Sequence, residues 1–259
     1  MQEHFITFFQ KEKIEYYSTI TISECEIIKP HLLPENAKSA IVFLIPYYCG
    51  MGSEARNLSL YAVSRDYHFY FKELSLRLAT FIDGHVPRNS IFPFCDSSPI
   101  NEVKAAASAG LGVIGRNHLL INERYGSYVF IATVICTFEI GSFGEKLSGV
   151  KQCCQCDKCR LTCSFLRGES ESCLSMLNQK KTLNDAELAT VRAQKLRWGC
   201  DTCQEVCPMN QAIETTPISY FHQNRIEQVT PELLEKMSEE EFKQRAFSWR
   251  GKNTIIRNL

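Results

Sequence analysis

Thirteen cysteines are spread over 259 residues, and the spacing of eight of them restricts the fold more than any other feature. One run reads Cys153-x2-Cys156-x2-Cys159-x3-Cys163, another reads Cys200-x2-Cys203-x3-Cys207 followed by Pro208, and Cys173 stands between them. Thiolates at such intervals sit on tight turns with their sulfurs turned inward. Turns of this kind wrap cubane iron–sulfur clusters, and the fourth cysteine of a run often ligates the neighbouring cluster. A structural zinc site is the alternative, but zinc takes four ligands, usually in two C-x2-C pairs. Here the last gap of each run is three residues and the total makes two sets of four. Pro208 after Cys207 fits the bacterial ferredoxin run, whereas Ser164 after Cys163 departs from it. The crossover rule assigns Cys153, Cys156, Cys159 and Cys207 to one cluster. Cys200, Cys203 and Cys163 fall to the other, with Cys173 the candidate to complete it. Cys154 points away from its neighbour, and Cys25, Cys49, Cys95 and Cys136 read as small buried hydrophobes. Two clusters so close form a short wire for single electrons.

Compartment follows from the same residues. Thiolates that hold iron need reducing surroundings, which favours the cytoplasm over an oxidising compartment. The start, Met1-Gln2-Glu3-His4-Phe5, lacks a charged segment followed by an apolar core, so no signal peptide is expected. No apolar run approaches the ~18–20 residues that span a bilayer. Lysine plus arginine equals aspartate plus glutamate, 29 each, so there is no global signature of a nucleic-acid or membrane binder. A local basic zone is nonetheless present at Gln179-Lys180-Lys181 and at Arg192, Lys195 and Arg197, to which Arg250 and Lys252 add if the tail folds back.

Hydrophobic patterning outlines the rest. Ser39–Pro46 is a short apolar, partly β-branched run and reads as a buried strand, as does 127–135. Tyr70, Leu74, Leu78 and Phe81 recur at helical spacing over 69–81. Ser98-Pro99 predicts a helix start, with an alanine-rich helix over 102–109 ended by Gly110. The stretch 183–198 is helix-like. Thr230-Pro231 and the capping box Ser238-x-x-Glu241 open two further helices. The expected class is α+β: an N-terminal α/β domain over 1–145, a bacterial ferredoxin-like two-cluster module over 146–215, and a helical tail over 216–259. Gly141 to Gln152 reads as the linker into the cysteine region.

Gly110-Leu111-Gly112-Val113-Ile114-Gly115 matches the dinucleotide fingerprint, but that fingerprint follows a strand, and here a helix precedes it. A tight glycine loop beside some other cofactor remains open. Several ordered motifs carry a more specific likeness. These are Tyr61-x3-Arg65-Asp66-Tyr67-His68, Cys95-Asp96-Ser97-Ser98-Pro99, Ala109 to Asn117, Tyr125-Gly126-Ser127-Tyr128, Gly199-Cys200-Asp201-Thr202-Cys203-Gln204 with Cys207-Pro208, and Ser248-Trp249-Arg250-Gly251-Lys252. Together they resemble the cobalamin-dependent epoxyqueuosine reductases, from about Leu33 onward. The chain is shorter than typical members at both ends, and longer members continue into a helical-repeat region that helps hold tRNA.

The resemblance implies two 4Fe–4S clusters that reduce cobalamin to a strongly nucleophilic cobalt(I), and reduction of epoxyqueuosine in the tRNA anticodon to queuosine and water. It implies Asp96 as proton donor. A carboxyl in an apolar pocket resists ionisation, which suits the role, although Asp96 could equally cap the following helix. The loop from Gly112 through Gly115 and Asn117 to Leu120 is expected to lie against the corrinoid, with Tyr67, His68 and His118 as further candidates. A low-potential donor such as flavodoxin or ferredoxin and a monomeric state are expected. Two other readings stay open: a two-cluster electron-transfer protein without corrinoid, and a corrinoid reductase of another substrate.

Overall fold

The computed structural model describes residues 1–144 and 148–259. Helix α1 (Gln2–Lys11) leads into a four-stranded sheet in the order β1-β2-β6-β3, formed by Tyr17–Thr21, Ser39–Pro46, Val129–Cys136 and Ile91–Cys95. All three pairings are antiparallel. The N-terminal part is therefore α+β in itself, which corrects the α/β expectation for it. The misreading has a physical cause. Every residue of β2 is buried, as in the strands of parallel sheets, because both faces of this antiparallel sheet are covered.

Alternation along β2 divides its side chains between two cores. Ile41, Phe43 and Ile45 face Phe5, Phe8 and Phe9 of α1 and Tyr70, Leu74 and Leu78 of α2 (Tyr67–Phe81). Ala40, Val42 and Leu44 face Ala105 and Ala106 of α3 (Glu102–Ser108) and Leu111. β3 lies at the sheet edge, where Pro93 costs no ladder bond in a central strand. A two-residue pair, β4 (Val113–Ile114) with β5 (Leu120–Ile121), follows α3.

Three local expectations are corrected. Asn101, not Ser98, caps α3, its side chain accepting from the Lys104 N–H. Ser98 is buried, 3.0 Å from the Thr133 hydroxyl, where the sheet claims it. The 183–198 helix is confined to Asp185–Arg192, with Asn184 and Glu187 forming its capping box; beyond it the chain straightens so that Trp198 can enter a core. The anticipated strand over 127–135 begins two residues later, at Val129.

Short helices α4 (Lys158–Thr162), α5 (Ser164–Arg167), α6 (Leu174–Leu177), α7 (Asp185–Arg192) and α8 (Thr202–Glu205) carry the cysteine region, and α4 packs on α8. Then α9 (Pro231–Lys236), α10 (Glu239–Lys243) and α11 (Lys252–Asn258) close a third core. That core joins Leu58, Ala62 and Val63 to Trp198 and to Leu234, Phe242, Phe247 and Ile255, so early, middle and late segments share it. The boundary expected at 145/146 lies outside the described residues. No helix among them is long and apolar enough to cross a membrane.

One buried cluster locks the second cysteine run to the N-terminal half. Asp201, fully buried between Cys200 and Cys203, accepts from Arg56 Nη1 at 2.8 Å, from the Leu60 N–H at 2.8 Å and from the Ser59 hydroxyl. Burial pushes its carboxyl up, while Ser59, Leu60 and Arg56 pull it back. Asp201→Ala would leave Arg56, itself 3 % exposed, with Glu205 as its remaining ion-pair partner and would strip the buried Ser59 hydroxyl and Leu60 N–H of their acceptor. The variant is expected to lose about 3–5 kcal/mol of stability, read from the denaturant midpoint under anaerobic conditions.

Candidate active site

At the C-terminal end of β3 the chain turns sharply. Asp96 sits there with φ +63°, a left-handed conformation unusual for a residue with a side chain. Strain of this kind persists where the surroundings enforce it. Tyr67, at the start of α2, donates its hydroxyl to Asp96 Oδ2. The Tyr67 ring is itself fixed by stacking on Phe130, with centroids 3.9 Å apart and planes at 16°. Burial pushes Asp96 up to about 6; Asp66 adds to the rise and Lys29 opposes it.

Glu102, in the first turn of α3, went unnoticed in the sequence. Burial and then the nearby Asp96 push its carboxyl up to about 8, a rise that the Asp96 backbone and Lys29 oppose. An acidic residue in a first helical turn is ordinarily read as dipole complementation. Only the turn at Asp96 brings this one back against the site.

Asp96 borders two adjoining cavities. The first, of about 480 Å³, is also lined by Tyr67, Phe130, Asn117, His118 and Leu119, and by Cys163, Cys173, Cys200 and Cys203. The second, of about 410 Å³, shares Tyr61, Tyr67, Asp96 and Gln179 with the first and is further lined by Asp66, His68, Ala246 and Trp249.

The anticipated corrinoid loop separates into two parts. Asn117 reaches the first cavity together with Tyr67 and Asp96. Its side chain is 7 % exposed, and among the described residues Nδ2 has no partner, leaving a buried donor at the cavity edge. Gly112, Gly115 and Leu120 stand behind it. A Cβ on Gly112 would lie 2.5 Å from the Ile121 carbonyl, and one on Gly115 would lie 2.5 Å from Asn117 Oδ1. These glycines serve the loop's own closure. Leu120 is buried in the second core. His68 lines the second cavity and not the first, with Nδ1 2.8 Å from Asp66 Oδ1.

The thiols bear on one another in two groups, joined through Cys159, which also bears on Cys203. Burial, then the charges of Cys154, Cys153 and Cys156, raise the Cys207 thiol, and Cys159 is raised by burial with Cys153 and Cys156 nearby. Cys203 is pushed up to about 12 by burial, then by Cys200, Cys163, Cys173 and Cys159. Cys173 also bears on Cys200. Cys154 is exposed, and Cys95 and Cys136 are buried away from both sets. Among the described residues no three His, Cys, Asp or Glu side chains converge as ligands of a single ion. Cubane thiolates bind different irons and do not share one centre.

This layout defines a class: an α+β fold whose acid-bearing chamber is walled by a cysteine-rich helical module. Comparison with known proteins narrows it. The family model described as "Epoxyqueuosine reductase QueG, DUF1730" matches residues 28–97. An epoxyqueuosine reductase of Listeria monocytogenes is 36% identical over 208 residues, 74% of this chain and 53% of that protein. One from Leadbetterella byssophila is 30% identical over 203 residues, 76% of this chain and 67% of its own. The chain thus spans about half the length of some curated relatives it matches. It belongs to the epoxyqueuosine reductase family. Its fold matches the Streptococcus thermophilus enzyme with TM-score 0.76 at 23% identity, covering 100% of this chain and 79% of that one. It also matches an epoxyqueuosine reductase solved with an epoxyqueuosine-modified tRNA-Tyr stem loop, with TM-score 0.75, 23% identity and coverage of 99% and 79%.

Proposed function

We propose that this chain is a reductase that converts epoxyqueuosine to queuosine in a tRNA anticodon, using two 4Fe–4S clusters and cobalamin. One observation carries the reading: a single cavity is bordered both by Asp96 and by Cys163, Cys173, Cys200 and Cys203. Cys153, Cys156, Cys159 and Cys207 would hold the outer cluster, and the cavity-lining four would hold the inner one. Three observations support the fit. The cysteines lie in two neighbouring groups; burial raises the Cys159, Cys200, Cys203 and Cys207 thiols, a cost that a bound metal would offset; and Asn117 presents an unpaired donor to the cavity. When bound, these groups supply single electrons and a strongly reducing, nucleophilic centre.

The chain's own residues supply the proton and the orientation. Removing the epoxide oxygen as water, with formation of a carbon–carbon double bond, consumes two electrons and two protons. Asp96 gives one proton to the departing oxygen and is left as carboxylate; solvent supplies the second and reprotonates Asp96. Tyr67 holds Oδ2, so the proton to be delivered resides on the other oxygen. The aromatic walls, Tyr67 and Phe130, keep the carboxyl in low dielectric, which raises the share of its acid form. Residues 1–145 would form the catalytic domain, 146–215 the cluster module and 216–259 the tail. The protein would act in the cytoplasm as a monomer supplied by a flavodoxin or ferredoxin.

The test is an anaerobic visible spectrum with and without added cobalamin, together with iron and cobalt counts. Iron for two cubanes and stoichiometric corrinoid uptake are expected. Full iron with no corrinoid uptake would leave an electron carrier instead.

A further inference from the structure

The second cavity opens beside an unusual surface. Trp249 lines it and is 58% exposed, in a chain whose only other tryptophan, Trp198, is fully buried. Arg250 lies over the Trp249 ring with its guanidinium carbon 3.9 Å from the centroid. The same guanidinium is pinned from the side by Nε donating to the Gln179 carbonyl at 2.9 Å, and Gln179 borders both cavities. An exposed indole carrying a fixed guanidinium is a flat, rigid surface with positive charge, at a mouth that leads to Asp96.

The charge does not end there. The tail folds back on the segment between the cysteine runs. Arg257 donates to the Lys181 carbonyl at 3.0 Å, Arg192 to the Arg257 carbonyl at 3.2 Å, and Arg197 to the Arg192 carbonyl at 2.9 Å. These guanidiniums rest on backbone carbonyls. Among the described residues none of Arg192, Arg197, Arg250 and Arg257 is in an ion pair, so their charge is uncompensated by neighbouring carboxylates. A peptide or membrane partner would call for an apolar groove or face alongside the charge. A lone aromatic platform flanked by unpaired arginines is instead the chemistry of single-stranded nucleic acid: π-faces for bases, guanidiniums for phosphates.

Resting on the function proposed above, we infer that the Trp249–Arg250 pair stacks a base adjacent to the reacting nucleotide, while Arg192, Arg197 and Arg257 take the neighbouring phosphates. The platform explains how a nucleotide inside a loop is held out of its stack with its ring in the chamber: the neighbouring base trades its RNA stacking partner for Trp249.

The experiment uses the cluster-loaded full chain and synthetic anticodon stem-loop RNA, with 2-aminopurine placed in turn on each side of the reactive position. Binding should change 2-aminopurine emission at one of the two positions. Trp249→Ala should abolish that change and weaken binding by roughly 5- to 100-fold. Trp249→Phe should retain most of both. Arg257→Ala should reduce the salt dependence of binding, whereas Trp249→Ala should leave it unchanged. Iron content serves as the folding control for each variant. Salt-dependent RNA binding with the same affinity and emission in Trp249→Ala would overturn the platform and spare the function. No RNA binding by the unaltered chain at low salt would overturn both.

Discussion

Asp96→Asn is expected to reduce turnover by about 10²–10⁴-fold while leaving the iron content and cobalamin uptake of the protein unchanged. The substitution keeps the shape of the side chain, and its amide oxygen can still accept from the Tyr67 hydroxyl. What it removes is the transferable proton. Because Asp96 adopts a left-handed backbone, which asparagine tolerates better than most residues, folding should be spared. Turnover within a few-fold of the unaltered chain would remove Asp96 from the chemistry. The pH profile gives a second readout. The acid form of Asp96 is the active one, and burial holds its pKa at about 6. Activity should therefore be fullest below pH 6 and decline as the pH rises through that value, provided proton delivery limits the rate. Glu102, pushed up to about 8, stays largely neutral over that range and adds no negative charge beside the acid. Once it ionises, its charge favours the protonated form of Asp96 and flattens the decline at higher pH.

The sequence revealed most about the parts whose chemistry is local. Cysteine intervals of two and three residues specify tight turns whatever surrounds them, so both sets could be drawn before the fold was known. The central strand Ser39–Pro46 was legible from its short, partly β-branched apolar run, and the helix ending at Phe81 from its periodicity. Sheet direction was not. A strand covered on both faces reads the same in parallel and antiparallel sheets, and β1 and β3, which settle the matter, are short and weakly patterned. The glycine loop illustrates another limit. Gly112 and Gly115 suggest room for a macrocycle in the sequence; the fold adds a second demand, since their missing side chains leave room for Ile121 and Asn117 of the same loop. Such close approaches involve positions that only the folded hairpin brings together. Glu102 was invisible as a site residue for the same reason, and Trp249, although part of a motif that carries the resemblance, gave no sign of bordering the cavity, since each reaches Asp96 or its cavities through tertiary structure.

Replacement of Cys173 carries the other large effect. It is the only member of the two sets that belongs to neither run, and the crossed assignment stands or falls with it. It heads the short helix Leu174–Leu177, lines the cavity with Cys163, Cys200 and Cys203, and its charge bears on both Cys200 and Cys203. Among the described residues no other cysteine lines that cavity: Cys154 is exposed, Cys25 and Cys49 are half-buried against the sheet cores, and Cys95 and Cys136 are buried in them. Cys173→Ala should therefore open one iron site of the inner cluster, lowering iron per chain by as much as half. It should also replace the coupled EPR signal of two reduced cubanes with the simple signal of one. Turnover should be lost with it, because the surviving cluster is the one held away from the chamber. Cys154→Ala provides the contrast: it neighbours Cys153 in sequence, yet iron and spectrum should be unchanged. Equal iron in the two variants would remove Cys173 from the ligand set and leave the inner cluster with three cysteines, a site whose fourth position must then be filled by something other than a thiolate of this chain.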